Sequence, residues 1–176
     1  MLEVAKNQAW TKLHRLFERV TDSLGKEIDP GIIQAVVGLN AVGIRTIASC
    51  EGHVGHGKPY PWIDVSYHHK DKLEQEICQC LERKQQDIRS FLRRRDHLIF
   101  EEEQKVAALL HAFYQAHPMA YDRHLITVHL VQGEFRLQPY GGEAQKYRSR
   151  SEQTEKLTEY QQEMQCFAEW LKVTCC

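Results

Sequence analysis

Apolar positions along the chain follow two rhythms. Trp10, Leu13, Phe17, Val20 and Leu24 recur at steps of three and four, which predicts an amphipathic helix over Glu3 to Leu24, with Gly25 as its stop. Asp29-Pro30 reads as the N-cap and first turn of a second helix. Its buried face would carry Ile32, Ile33, Val36 and Val37, and Gly43 would close it. Short strands are predicted over Ile44 to Ser49 and Trp62 to Tyr67, on either side of a glycine-rich loop.

Asp71 reads as the next helix cap, with Glu74 in the capping-box position. Helical pattern then runs to about Ala116, ahead of Pro118, but the stripe loses phase around Arg93 to Asp96. A bend, or a break into two helices, is predicted there. Leu125 to Val131 and Phe135 to Tyr140 alternate about Gln132-Gly133, a β-hairpin pattern. A two-residue turn sets His129 opposite Arg136 and Thr127 opposite Gln138, so these four share one face. Ile126, Val128, Leu130, Phe135 and Leu137 then share the other. Ser149 with Glu152 predicts the cap of a last helix, striped by Leu157, Tyr160, Met164, Phe167 and Leu171 and ending near Val173. The expectation is a single α+β domain, with a small, largely antiparallel sheet of about four strands covered by long amphipathic helices. Stripes this regular also suit pairing between chains, as a homodimer.

The 176 residues are 42% hydrophobic and 27% charged, the balance of one soluble globular domain. A formal charge of −1 gives no general attraction to nucleic acid or to an anionic membrane. The run Arg93, Arg94, Arg95 reads as a solvated helix face. The first ten residues have no signal-peptide pattern, and no stretch is as long as a membrane span. The six cysteines do not pair into a disulfide framework, which fits reduced thiols and a cytoplasmic protein. Cys78 and Cys80 stand two apart on a helix and diverge, while Cys175 and Cys176 read as a frayed tail.

Chemistry concentrates between Thr46 and Trp62, where Cys50, Glu51, His53 and His56 sit among Gly52, Gly55, Gly57, Pro59 and Pro61. Three readings compete. In the first, Cys50, His53 and His56 bind zinc, with Glu51 or His129 adding a ligand, in a metal-dependent hydrolase. In the second, Cys50, Glu51 and His53 are catalytic groups of a metal-free enzyme or small-ligand binder. A small anionic molecule or nucleotide would then lie against Thr46, Ser49, Tyr60, Trp62, Thr127 and His129, with Arg136 as anion clamp and Gln138 beside it. In the third, the loop is only a turn whose side chains bond its own backbone. A helical interaction protein is a further alternative, presenting Trp10 and Phe167 to a partner.

Asp29-Pro30-Gly31-Ile32, Leu39-Asn40, Gly43-Ile44-Arg45-Thr46 and Ser49-Cys50-Glu51-Gly52-His53 resemble a group of uncharacterised bacterial proteins sharing a Ser-Cys-Glu-Gly-His loop. The same layout is distantly similar to the wybutosine-synthesis transfer-RNA methyltransferase family. That family too has an acidic residue opening a helix, an Asn near its end, a Thr on a strand, and then Ser-Cys-Ser-Gly-Arg. The resemblance covers Asp29 to His53 and implies a related strand-loop architecture with a site at the loop; S-adenosylmethionine is the cofactor it brings to mind. Glu51 and His53 stand where that family has serine and arginine, a change that weakens phosphate binding.

Overall fold

Two antiparallel hairpins lie side by side. Strand β1 (Arg45–Cys50) pairs with β2 (Trp62–Ser66), and β3 (Leu125–His129) pairs with β4 (Phe135–Pro139). An antiparallel β2–β4 contact joins them into one sheet of order β1-β2-β4-β3. The helices are α1 (Leu2–Phe17), α2 (Ile33–Ala41), α3 (Lys70–Glu82), α4 (Ile88–Ala116) and α5 (Arg150–Thr174). This computed structural model describes residues 2–22, 25–83, 88–130 and 133–174. The α+β class and the four-stranded antiparallel sheet expected from the pattern are present.

The core lies between one sheet face and four helices. Ile63, Val65, Leu125, Phe135 and Leu137 from the sheet meet α2, α3, α4 and α5. Each such side chain contributes about 1.5–3 kcal/mol when fully buried. Gly38 lets α2 approach α5: a Cβ there would stand 3.1 Å from Leu171 and 3.5 Å from Trp10. Phe167 is 0% and Trp10 7% exposed, so both stripe residues are spent inside this chain rather than offered to a partner.

Several boundaries differ from the pattern. Helix α1 stops at Phe17, and Val20 is 41% exposed. The chain reverses instead: the Asp22 carboxylate accepts the Lys26 N–H at 2.8 Å, Gly25 adopts φ +77°, and Thr21 bridges Glu27. Leu24 lies outside the described residues. Asp29 does not cap α2, whose cap is Ile32 with no side-chain bond. Asp71 does not cap α3, which follows His69 at φ +64°; its carboxylate meets Arg45, while Glu74 accepts the Tyr67 hydroxyl.

The long helical pattern breaks before Ile88 rather than at Arg93 to Asp96, and residues 84–87 lie outside those described. Helix α4 passes straight through the arginines because Ile88, Phe91 and Leu92 hand the core contact to Ile99 while Arg94 stays 66% exposed. Ser149 and Glu152 do form the predicted capping box, at 2.9 Å and 3.4 Å. Cys175 and Cys176 fall outside the described residues.

The second hairpin is shifted by one. His129 faces Phe135, Val128 faces Arg136, Thr127 faces Leu137 and Ile126 faces Gln138. Leu130 N–H bonds the Glu134 carbonyl at 2.8 Å, so the connection is 131–133 and not two residues long; Gly133 has φ +78°. Gln132 and Val131 lie outside the described residues. An odd shift exchanges the faces. Thr127 and His129 therefore turn to α4, where both reach Glu103 at 2.8 Å and 2.9 Å. Arg136 and Gln138 occupy the opposite face.

Candidate functional site

Strand β1 ends at Cys50, paired with Trp62. Gly52 at φ +88° then turns the chain so sharply that a Cβ would lie 2.6 Å from the Tyr60 backbone. Further left-handed glycines, Gly55 and Gly57, continue the bend, and His53 N–H closes it onto the Lys58 carbonyl at 2.9 Å.

Three anchors fix this loop. The Glu51 carboxylate accepts the Gly31 N–H at 2.8 Å, Glu51 N–H donates to Asp29 Oδ2 at 3.2 Å, and Gln161 Nε2 donates to the Glu51 carbonyl at 3.0 Å. Glu51, expected as a catalytic base, thus has its carboxylate engaged with the start of α2.

Asp29 is the hub. It is buried, with Oδ1 3.1 Å from Lys26 Nζ and Oδ2 3.5 Å from His53 Nε2. Asp29, Cys50 and His53 each place one donor atom within 4.8 Å of the others. Burial pushes the Asp29 carboxyl up, but the Lys26 ammonium and the Glu51 N–H outweigh it and leave it below the ordinary range. The Cys50 thiol is raised, first by burial and then by the neighbouring Asp29 charge, with the Gly52 N–H opposing. The thiol keeps its proton, so without a cation this is not an activated nucleophile.

His56 does not join the cluster as the Cys-x-x-His-x-x-His spacing suggests. Its exposed ring stacks on His53, with centroids 4.9 Å apart. Thr46, Ser49 and Trp62 line a hollow that Asp29 also borders. Thr46 Oγ1 accepts Asn40 Nδ2 at 2.7 Å, so Asp29, Asn40, Thr46 and Cys50, which carried the family resemblance, lie in one neighbourhood.

The other expected site residues are elsewhere. Arg136 forks onto Asp64 at 2.6 Å and 2.8 Å and lies over the Trp62 ring at 3.9 Å. The Asp64 hydrogen bonds raise its pKa further, so this guanidinium is a bound charge and not a free clamp. Tyr60 is buried and bonds Glu143, with Lys58 Nζ on its hydroxyl at 2.6 Å; burial and Glu143 raise the phenol. Gln138 is buried on β4, paired with Ile126.

Sequence pattern missed Asp29 and Lys26 as site residues. Asp-Pro carries a capping signature that hid the carboxylate's true direction. The acidic residue quoted in the resemblance was the one signal pointing at it. Compared with models of known families, with curated proteins and with solved structures, the chain matches none.

Proposed function

We propose that Asp29, Cys50 and His53 bind a divalent cation, zinc by their donor set, and that the chain is a metal-dependent hydrolase acting on a ligand in the adjoining hollow. The observation that carries this is the convergence of carboxylate, thiol and imidazole within 4.8 Å from segments 21 and three residues apart. Ligand atoms around tetrahedral zinc stand about 3.5 Å apart, given bonds of about 2.0–2.3 Å. The Asp29–His53 pair already has that spacing, at 3.5 Å. Three protein ligands leave a fourth position for water, the pattern of catalytic rather than structural zinc. Lys26 holds the other oxygen of Asp29, Oδ1, and Glu51 N–H orients Oδ2, as outer partners of a metal ligand do.

Asp29, Cys50 and His53 would hold the cation, with Cys50 as thiolate in place of the neutral thiol. A cation held there would supply an acidified water for attack on an electrophilic carbonyl or phosphoryl centre. This reading displaces the anion-clamp reading, because Arg136 is committed to Asp64.

The test is metal content. Protein exposed to zinc and desalted is expected to retain one equivalent, and cobalt in its place to give a thiolate charge-transfer band that Cys50→Ser abolishes. Asp29→Asn should weaken retention while His56→Ala leaves it intact. Retention below about a tenth of an equivalent by a folded protein ends the proposal.

A further inference from the structure

The hollow beside the cluster has a volume of about 320 Å³ and runs along β1. Four successive strand residues, 46–49, line it. Thr46 and Ser49 pair with the core residues Val65 and Ile63, whereas Ala48 pairs with Asp64 on the other face, so the four residues stand on both faces of the sheet. A hollow touching all four therefore meets the strand along its edge. Among the described residues that edge is free, since β1 pairs there with β2 alone. Among the described residues no backbone hydrogen bond joins 45–49 to the facing 21–29 turn. The hollow is thus bordered by unpaired strand backbone over roughly 13 Å, at about 3.3 Å per residue.

The facing turn sets the charge. Asp22, Glu27 and Asp29 line the hollow against one cation, Lys26, which is paired with Asp29. Apolar surface is also present: Val20 and Ile47, on opposite sides, are 41% and 40% exposed, and Trp62 reaches the same space. Ile47 is the bulge residue between Thr46 and Ala48. The bulge interrupts the edge, which limits pairing to a short segment and discourages open-ended association between copies.

We infer that this edge takes a short extended peptide segment as an added strand, with apolar and basic side chains alternating. Main-chain bonds to β1 supply the docking, the apolar residues face Val20, Ile47 and Trp62, and a basic residue faces Glu27. The inference does not rest on the metal reading, and the failure of either leaves the other standing.

The probe is a labelled tetrapeptide of alternating valine and lysine, followed by fluorescence anisotropy on chelator-treated full-length protein. Saturable binding is expected. It should fall about tenfold when alternate peptide amides are N-methylated, because each methyl group removes a backbone bond to β1. Exchange of lysine for glutamate in the peptide, or Glu27→Lys in the protein with unchanged thermal stability, should lower it by a similar factor. Unaltered affinity of the N-methylated peptide overturns the inference. So does absence of saturable peptide binding, whether S-adenosylmethionine fills the hollow instead or scattering shows a dimer.

Discussion

At the scale of single residues, the behaviour of Cys50 is set by burial and by Asp29, and both oppose loss of its proton. Zinc must displace that proton, so apparent affinity should rise with pH, about tenfold per unit, until the raised thiol pKa is passed. Competition titrations at several pH values would show this, and a flat profile would mean that Cys50 is not a ligand. Asp29 has the opposite sign. Its folded pKa is lowered, so its stabilisation is present above the ordinary carboxylate range and is lost as pH falls through the folded value. Asp29→Asn should therefore cost about 1–2 kcal/mol in denaturant melts at pH 7. The two proteins should converge in acid. Cys50 and His53 were legible in the sequence because reactive groups stood on glycine-rich backbone. Asp29 was not, because an aspartate before proline has the same local signature whether it caps a helix or turns away from it. Arg136 was misplaced for another reason: one residue of turn length decided which face it occupied.

At the scale of elements, the loop after β1 is held by shape as much as by bonds. Gly52→Ala would force φ +88° on a residue with a Cβ and drive that atom to 2.6 Å from Tyr60. The expected loss is about 2–4 kcal/mol, read as a lower midpoint in urea, since strained backbone and collision add. A change smaller than about 0.5 kcal/mol would mean that the bend is not as drawn. Strand and helix existence followed from periodicity, and Ser149 with Glu152 behaved as their spacing predicts. Boundaries strayed where a polar side chain had a tertiary partner available. Asp71 found Arg45 and Glu74 found Tyr67, and local cap rules do not see such partners.

At the scale of the whole molecule, the helical stripes close one core against one sheet face. Phe167 is 0% exposed and touches the aromatic cluster of Phe113 and Trp170, with ring centroids 5.3 Å and 6.1 Å away. Phe167→Ala should cost about 3–5 kcal/mol by leaving a cavity there. Thermal melts would register this as a large fall in Tm, and an unchanged Tm would place the residue outside the core. The stripe itself was readable in the sequence, but its destination was not. An apolar helix face looks the same whether it will meet its own sheet or a second chain. The anchor from Gln161 to the Glu51 carbonyl spans 110 positions. During synthesis the bend after β1 leaves the ribosome long before its brace on the last helix exists. The loop that carries Cys50 and His53 is thus braced late, only after Gln161 has emerged and α5 has docked.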